Sequence, residues 1–240
     1  MIRNHFKVIA IITCLLSSHA CAQGSNSGPD TQFYTYTNFS VVSSESMLAE
    51  DIQAAIDQVA AEAGGSVYAI WNSVVLADDA PFNGLVENDF IAMLSFDSGS
   101  TSVVDRVDSL LTENTQIVGP ITKLYYSVDL RVPDAVSTPK GFYVHRDEHY
   151  PIDAMNTAVS LSQRAWTTWE DYWQVKVVGL FRQVDGEQNV AKLNRIVWYP
   201  SYEVWQSTRD NTDAQSRDRF RERRQLLIEG SGIAVATNRL

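Results

Sequence analysis

Apolar and polar positions change period along this chain in an order that repeats. Over residues 32–42 they alternate, with Phe33 and Phe39 on one parity and Tyr34 and Tyr36 on the other, as in a strand. Leu48, Ile52, Ala55, Ile56 and Val59 then recur at helical spacing; Ser43 or Ser44 can cap this helix and Gly64-Gly65 ends it. Residues 66–77, with Tyr68, Ile70 and Trp71, and residues 89–96, with Phe90, Ala92, Leu94 and Phe96 on one face, predict two strands paired as a hairpin. A helix carrying Val103, Val107, Leu110 and Leu111 and a strand over 121–130 complete the order βαββαβ.

Residues 131–140, with two prolines, read as a connector, after which the order restarts. The pattern predicts a strand over 141–147, a helix from Pro151 or Ile152 to Tyr172, a strand over 174–184 ending at an Asp185-Gly186 turn, and a strand over 190–199. A helical region over 202–229 follows, capped by Ser201 and broken near Asp210-Asn211, where Thr212 and Gln215 have capping-box spacing; a strand over 233–238 closes the chain. In the long helix Met155, Val159, Ser162, Trp166, Trp169 and Trp173 share one face, which favours core packing over a cofactor box or carbohydrate platform.

The repeated order predicts an α+β fold of tandem ferredoxin-like repeats, 32–130 and 141–240, joined by the 131–140 connector. Helices bury only one face of each four-stranded sheet. If the two sheets face each other, the remaining faces are buried too, giving a dimeric-α+β-barrel-type fold within one chain.

The N-terminal residues change the setting. Arg3 and Lys7 precede a short apolar run, and Ala20-Cys21-Ala22 offers small residues for a signal peptidase, so residues 1–22 read as a signal peptide and 23–31 as a disordered lead-in. The run is too short for a membrane span, which needs roughly 20 residues. Cutting after Ala22 releases a soluble secreted or periplasmic chain; cutting before Cys21 leaves a lipid-anchored one. The lipoprotein signal wants a branched apolar residue where this chain has Ser18, so soluble export is the expectation.

Cys14 and Cys21 both lie in the leader, leaving no thiol for a disulfide, a nucleophile or a thiolate metal site. Net charge is −10, and −12 without Arg3 and Lys7, which disfavours phosphate backbones and anionic lipid; no nucleic-acid partner is expected.

Residues 177–210, VVGLFRQVDGEQNVAKLNRIVWYPSYEVWQSTRD, with the Arg224 to Glu229 segment, resemble the NIPSNAP family. The matching positions are Gly179, Asn194, Trp198, Tyr199, Pro200, Ser201 and Arg209. Tyr143-Val-His-Arg146 fits the family's Tyr-x-x-Arg strand, but Asp147-Glu-His149 replaces the customary continuation. The resemblance implies the barrel fold. Related barrels include haem-degrading and cofactor-independent monooxygenases, haem peroxidase-like enzymes and plain binding modules, so no single activity follows.

Candidate chemistry is sparse. His145 and His149 would share a metal on a helix, but on a strand residues four apart lie roughly 13 Å apart, so no metal site is expected. If Phe142 and Val144 face helices, Tyr143 and His145 face the barrel interior, as Tyr34 and Tyr36 do in the first repeat. Arg195, between Leu193 and Val197, needs a carboxylate partner or a ligand. These residues define a candidate ligand site of Tyr34, Tyr36, Tyr143 and Arg195, and a candidate catalytic set of His145, Tyr143 and Arg195. The arginine run 217–224 reads as a solvated, salt-bridged face.

Three functions compete: a binding protein for a small, partly aromatic ligand; a monooxygenase-like or haem-handling oxidoreductase; and an assembly module that pairs through a sheet edge, including with a second copy of itself. Missing thiols and few histidines rank binding first. No cofactor is evident, with haem the runner-up.

Overall fold

In the computed structural model, which describes residues 32–240 apart from 43–48, 75, 77–79, 81–82, 134–138, 185–186 and 211–213, β1 (Phe33–Val41) splits its side chains between two cores. Phe39 and Val41 join a cluster under the helices, whereas Tyr34 and Tyr36 enter a second cluster built from both repeats. The leader, the lead-in, the Ser43/Ser44 cap, the Asp185-Gly186 turn and Thr212 lie outside the described residues.

The first repeat runs β1, α1 (Ala49–Ala63), β2 (Ser66–Asn72), a two-residue β3 (Asn83–Gly84), β4 (Asp89–Phe96), α2 (Thr101–Glu113) and β5 (Ile117–Leu130). The second runs β6 (Phe142–Pro151), α3 (Met155–Trp173), β7 (Lys176–Gln183), β8 (Val190–Tyr199), α4 (Tyr202–Asp210), α5 (Ala214–Gln225) and β9 (Ile233–Arg239). Gly64, at φ +79°, ends α1 in the left-handed region that glycine takes without strain, and Ser201 Oγ accepts from Val204 N at 3.4 Å at the start of α4. Pro151 ends β6, and a 3-10 turn over Ile152–Ala154 leads into α3.

Strand order is β2-β4-β1-β5-β7-β8-β6-β9, and β9 pairs back onto β2, so eight strands close into a barrel. Each half has the ferredoxin-like order, as the two helical periods require. The seams differ. At β5–β7 the register runs from Tyr125↔Gln183 to Leu130↔Gly179; at β2–β9 only Trp71↔Arg239 and Asn72↔Asn238 pair, and β3 fills in parallel to β9 through Asn83↔Val235.

The helix-side core of the second repeat takes Val159, Trp166 and Trp169 from α3 and Trp205 from α4, so the tryptophan stripe packs against the sheet. β2 and β7 each carry a bulge at matching places, Val67/Ala69 and Val177/Gly179. No helix among the described residues is long and apolar enough to cross a membrane.

Candidate functional site

Pleat parity decides which β6 and β8 side chains reach the barrel lumen. Phe142, Val144 and Tyr150 pack beneath the helices, so Tyr143, His145 and Asp147 take the inner face. β8 divides likewise: Leu193, Val197 and Tyr199 go outward, Asn194 and Ile196 inward. Inside, Tyr34, Tyr68 and Phe181 meet edge to face at one end, with Tyr34 centroids 5.3 and 5.1 Å from the other two. Trp71 lies edge-on to both Tyr143 and His145.

His145 is 2% exposed, and both its ring nitrogens are engaged: Nδ1 lies 3.1 Å from Tyr36 Oη, and Nε2 lies 3.1 Å from Thr237 Oγ1. Burial lowers its pKa to about 3, because a charged imidazolium in this setting has lost its water, so the ring is neutral at physiological pH. One nitrogen then donates while the other accepts, and the two hydroxyls accommodate either tautomer. Burial first, then the charges of Tyr125 and Asp147, raise Tyr36 well above the usual phenol range and keep it protonated.

Next to this pair the lumen wall is under-satisfied. Asp147 and Asn194 face each other across β6 and β8 beside Tyr36. Yet Asn194 Oδ1 and Asp147 Oδ1 are buried without a hydrogen-bond partner; His149 Nε2 is 3.7 Å from the latter, beyond hydrogen-bonding reach. Trp71 Nε1, a donor, is likewise unpaired. Each such group costs roughly 1–3 kcal/mol unless something satisfies it.

The structure brings Tyr34, Tyr36, Tyr143 and His145 into one lumen but does not bring Arg195 to them. Arg195 shares the outward parity of Leu193 and Val197, and its Nη2 lies 2.9 Å from Glu148 Oε1 beneath the helices. Its placement corrects the proposed set: the strand offset that buries Leu193 against helices carries Arg195 to the same side. Tyr143 stays in the lumen, but its hydroxyl is already committed, donating to the Pro139 carbonyl. Thr237, Asn194 and Trp71 were not assigned to the candidate site from the sequence, although their strand parity marks them as inward. Among the described residues no group of three His, Cys, Asp or Glu side chains could hold a metal. Nor does His145 suit a haem iron, since neither ring nitrogen is available in this arrangement.

An outer cavity of about 410 Å³ is lined by Asp129, Arg131, Glu170 and Lys176 among others. There Arg131 pairs with Glu170, which also accepts from Val177 N at 2.7 Å.

No protein-family model matches the chain, and no curated protein is significantly similar to it. Solved structures are similar. An anthrone oxidase-like protein matches with a TM-score of 0.56 at 8% identity, over 88% of this chain and 92% of its own. A candidate monooxygenase from Lactobacillus acidophilus NCFM matches with a TM-score of 0.50 at 8% identity, over 88% of this chain and 94% of its own. At such identity the likeness speaks for architecture, and the architecture of this chain is that of a dimeric α+β barrel.

Proposed function

We propose that this chain is an exported, NIPSNAP-like barrel protein that binds a small, partly aromatic ligand at the polar end of its lumen. The observation that carries the reading is the pair of buried acceptors without a hydrogen-bond partner, Asn194 Oδ1 and Asp147 Oδ1, beside the Tyr36–His145 hydrogen bond in an apolar wall rich in aromatic rings. A ligand that donates a hydrogen bond from an aromatic body satisfies those acceptors and stacks on the rings. Calorimetric titration with 1-naphthol tests it: saturable binding to wild type that weakens at least tenfold in Asn194→Leu supports the reading, and no binding to wild type sinks it.

The second reading is a monooxygenase-like oxidation of such a ligand with dioxygen as the oxidant, suggested by the names of the two structural neighbours. Proton abstraction by His145 is the step it needs. A base whose conjugate acid has a pKa of about 3 is poorly matched to work at neutral pH, which ranks binding ahead of catalysis.

A further inference from the structure

On the outer face of the same two strands, arginines outnumber carboxylates in a buried layer. Arg146 of β6 and Arg195 of β8 are directly opposite in register, an arrangement that like charges disfavour. Arg223 reaches the spot from α5, which corrects the view of the whole arginine run as a solvated face. The carboxylate paired with them is Glu148, 4% exposed: its Oε1 lies 2.9 Å from Arg195 Nη2 and 3.4 Å from Arg223 Nη2, and Tyr150 Oη donates to its Oε2 at 3.1 Å. Arg223 Nη1 donates to Ser162 Oγ at 3.2 Å.

Among the described residues, one carboxylate, Glu148, is therefore set against the three guanidiniums. Two of the guanidiniums also hold unused donors: Arg195 Nε and Arg223 Nε are buried with no partner, in residues 6% and 7% exposed. Arg146 has no ion pair among the described residues and is less buried than Arg195 and Arg223, so it forms the outermost side of the cluster. Burial, with Arg195 next, lowers Arg223 to about 10, and burial with Arg195 lowers Arg146 as well. An unbalanced buried charge is costly, and a chain of net charge −10 gains nothing in solubility from it. An oxyanion would supply both the missing charge and the missing acceptors, since the planar fork of arginine fits carboxylate and phosphate oxygens.

We propose that Arg146, Arg195 and Arg223, braced by Glu148, form an oxyanion-binding site between the second-repeat sheet and its helices, on the opposite side of the sheet from the lumen. The chemistry is shared by a phosphoryl group and a carboxylate. Calorimetric titration of the full chain at low salt with inorganic phosphate, and separately with acetate, tells them apart. The expected result is saturable one-to-one binding of one of these anions, weakened at least tenfold in Arg146→Gln, whose thermal transition is retained, and unchanged in Arg217→Gln, which removes an exposed arginine of α5. Absence of saturable binding to wild type with both anions overturns the proposal. So does binding to which Arg146→Gln is indifferent, or which Arg217→Gln weakens equally. If Arg146→Gln unfolds, Arg146→Lys keeps the charge but loses the fork; undiminished binding in that variant also overturns the proposal.

Discussion

Tyr36 Oη and His145 Nδ1 lie 3.1 Å apart across 109 residues of chain, at the same position of the first strand of each repeat. The register shows the correspondence: Phe33 opposes Phe96 as Phe142 opposes Tyr199, and Tyr36 and His145 each stand three residues further on. The two halves thus touch through equivalent residues, one a phenol and the other an imidazole. Their cross-strand neighbours also differ, Tyr125 packing on Tyr36 while Thr237 bonds His145. This asymmetry makes the polar end of the lumen.

Removing the phenolic hydroxyl tests the pair. Tyr36→Phe strands His145 Nδ1 in an apolar setting and should cost about 1–3 kcal/mol in urea unfolding. Replacing both residues, as Tyr36→Phe with His145→Phe, should cost less than the sum of the two single changes, because neither the Tyr36 hydroxyl nor His145 Nδ1 is then left without the other.

Stability should fall on acidification in two stages. His145 has an ordinary value of 6.5 and a folded value of about 3, so between those limits the unfolded chain binds the extra proton and stability drops as pH falls. The expected slope approaches about 1.4 kcal/mol per pH unit. Glu148 acts lower: burial would raise its pKa, but Arg195, Arg223 and Arg146 outweigh that and lower it from 4.5 to about 2. Its contribution, present above 4.5, is lost as pH falls towards 2. Urea melts from pH 7 to 4.5 should show the first slope in wild type and not in His145→Asn.

Glu148 and Arg195 should respond unequally to removal. Glu148→Gln leaves three guanidiniums around a neutral amide and should destabilise by about 3–5 kcal/mol. Arg195→Met removes one of the surplus positive charges and fills the space with an apolar chain, so its cost should be clearly smaller. Denaturant midpoints at equal slope decide the order.

The β7 bulge leaves no room at Gly179. A Cβ there would lie 2.7 Å from Phe181 Cζ and 3.2 Å from the Asp129 carbonyl oxygen. Gly179→Ala should therefore cost about 1–3 kcal/mol through overpacking and should shift the nearby Phe181 ring signals, read by thermal unfolding and NMR.

Much of the fold was legible because buried faces impose period. The alternation Phe90, Ala92, Leu94, Phe96 and the stripe Val159, Ser162, Trp166, Trp169 each point to one side, and both sets pack where that predicts. The inward turn of Tyr143 and His145 followed from Phe142 and Val144 in the same way. The barrel followed from the need to bury the second face of each sheet, but the pairing at its seam did not, since β2–β9 joins residues more than 160 positions apart and β3 is only two residues long. Arg195 meets the carboxylate that its buried strand position called for, but on the outer face and not among the lumen residues with which it was grouped. Its outward partner Glu148 has the parity of Phe142 and Val144, a signal that was present, but Arg223 sits in a helix so rich in charge that periodicity singles out no buried face.

The lumen site is tested most directly at His145 itself. Long-range proton–nitrogen NMR spectra of the two imidazoles among the described residues, His145 and His149, recorded while 1-naphthol is added, report which ring meets the ligand. Binding in the lumen predicts neutral-imidazole signals for His145 that move saturably, with the half-exposed His149 little affected. His145 signals that stay fixed at saturating 1-naphthol would contradict it.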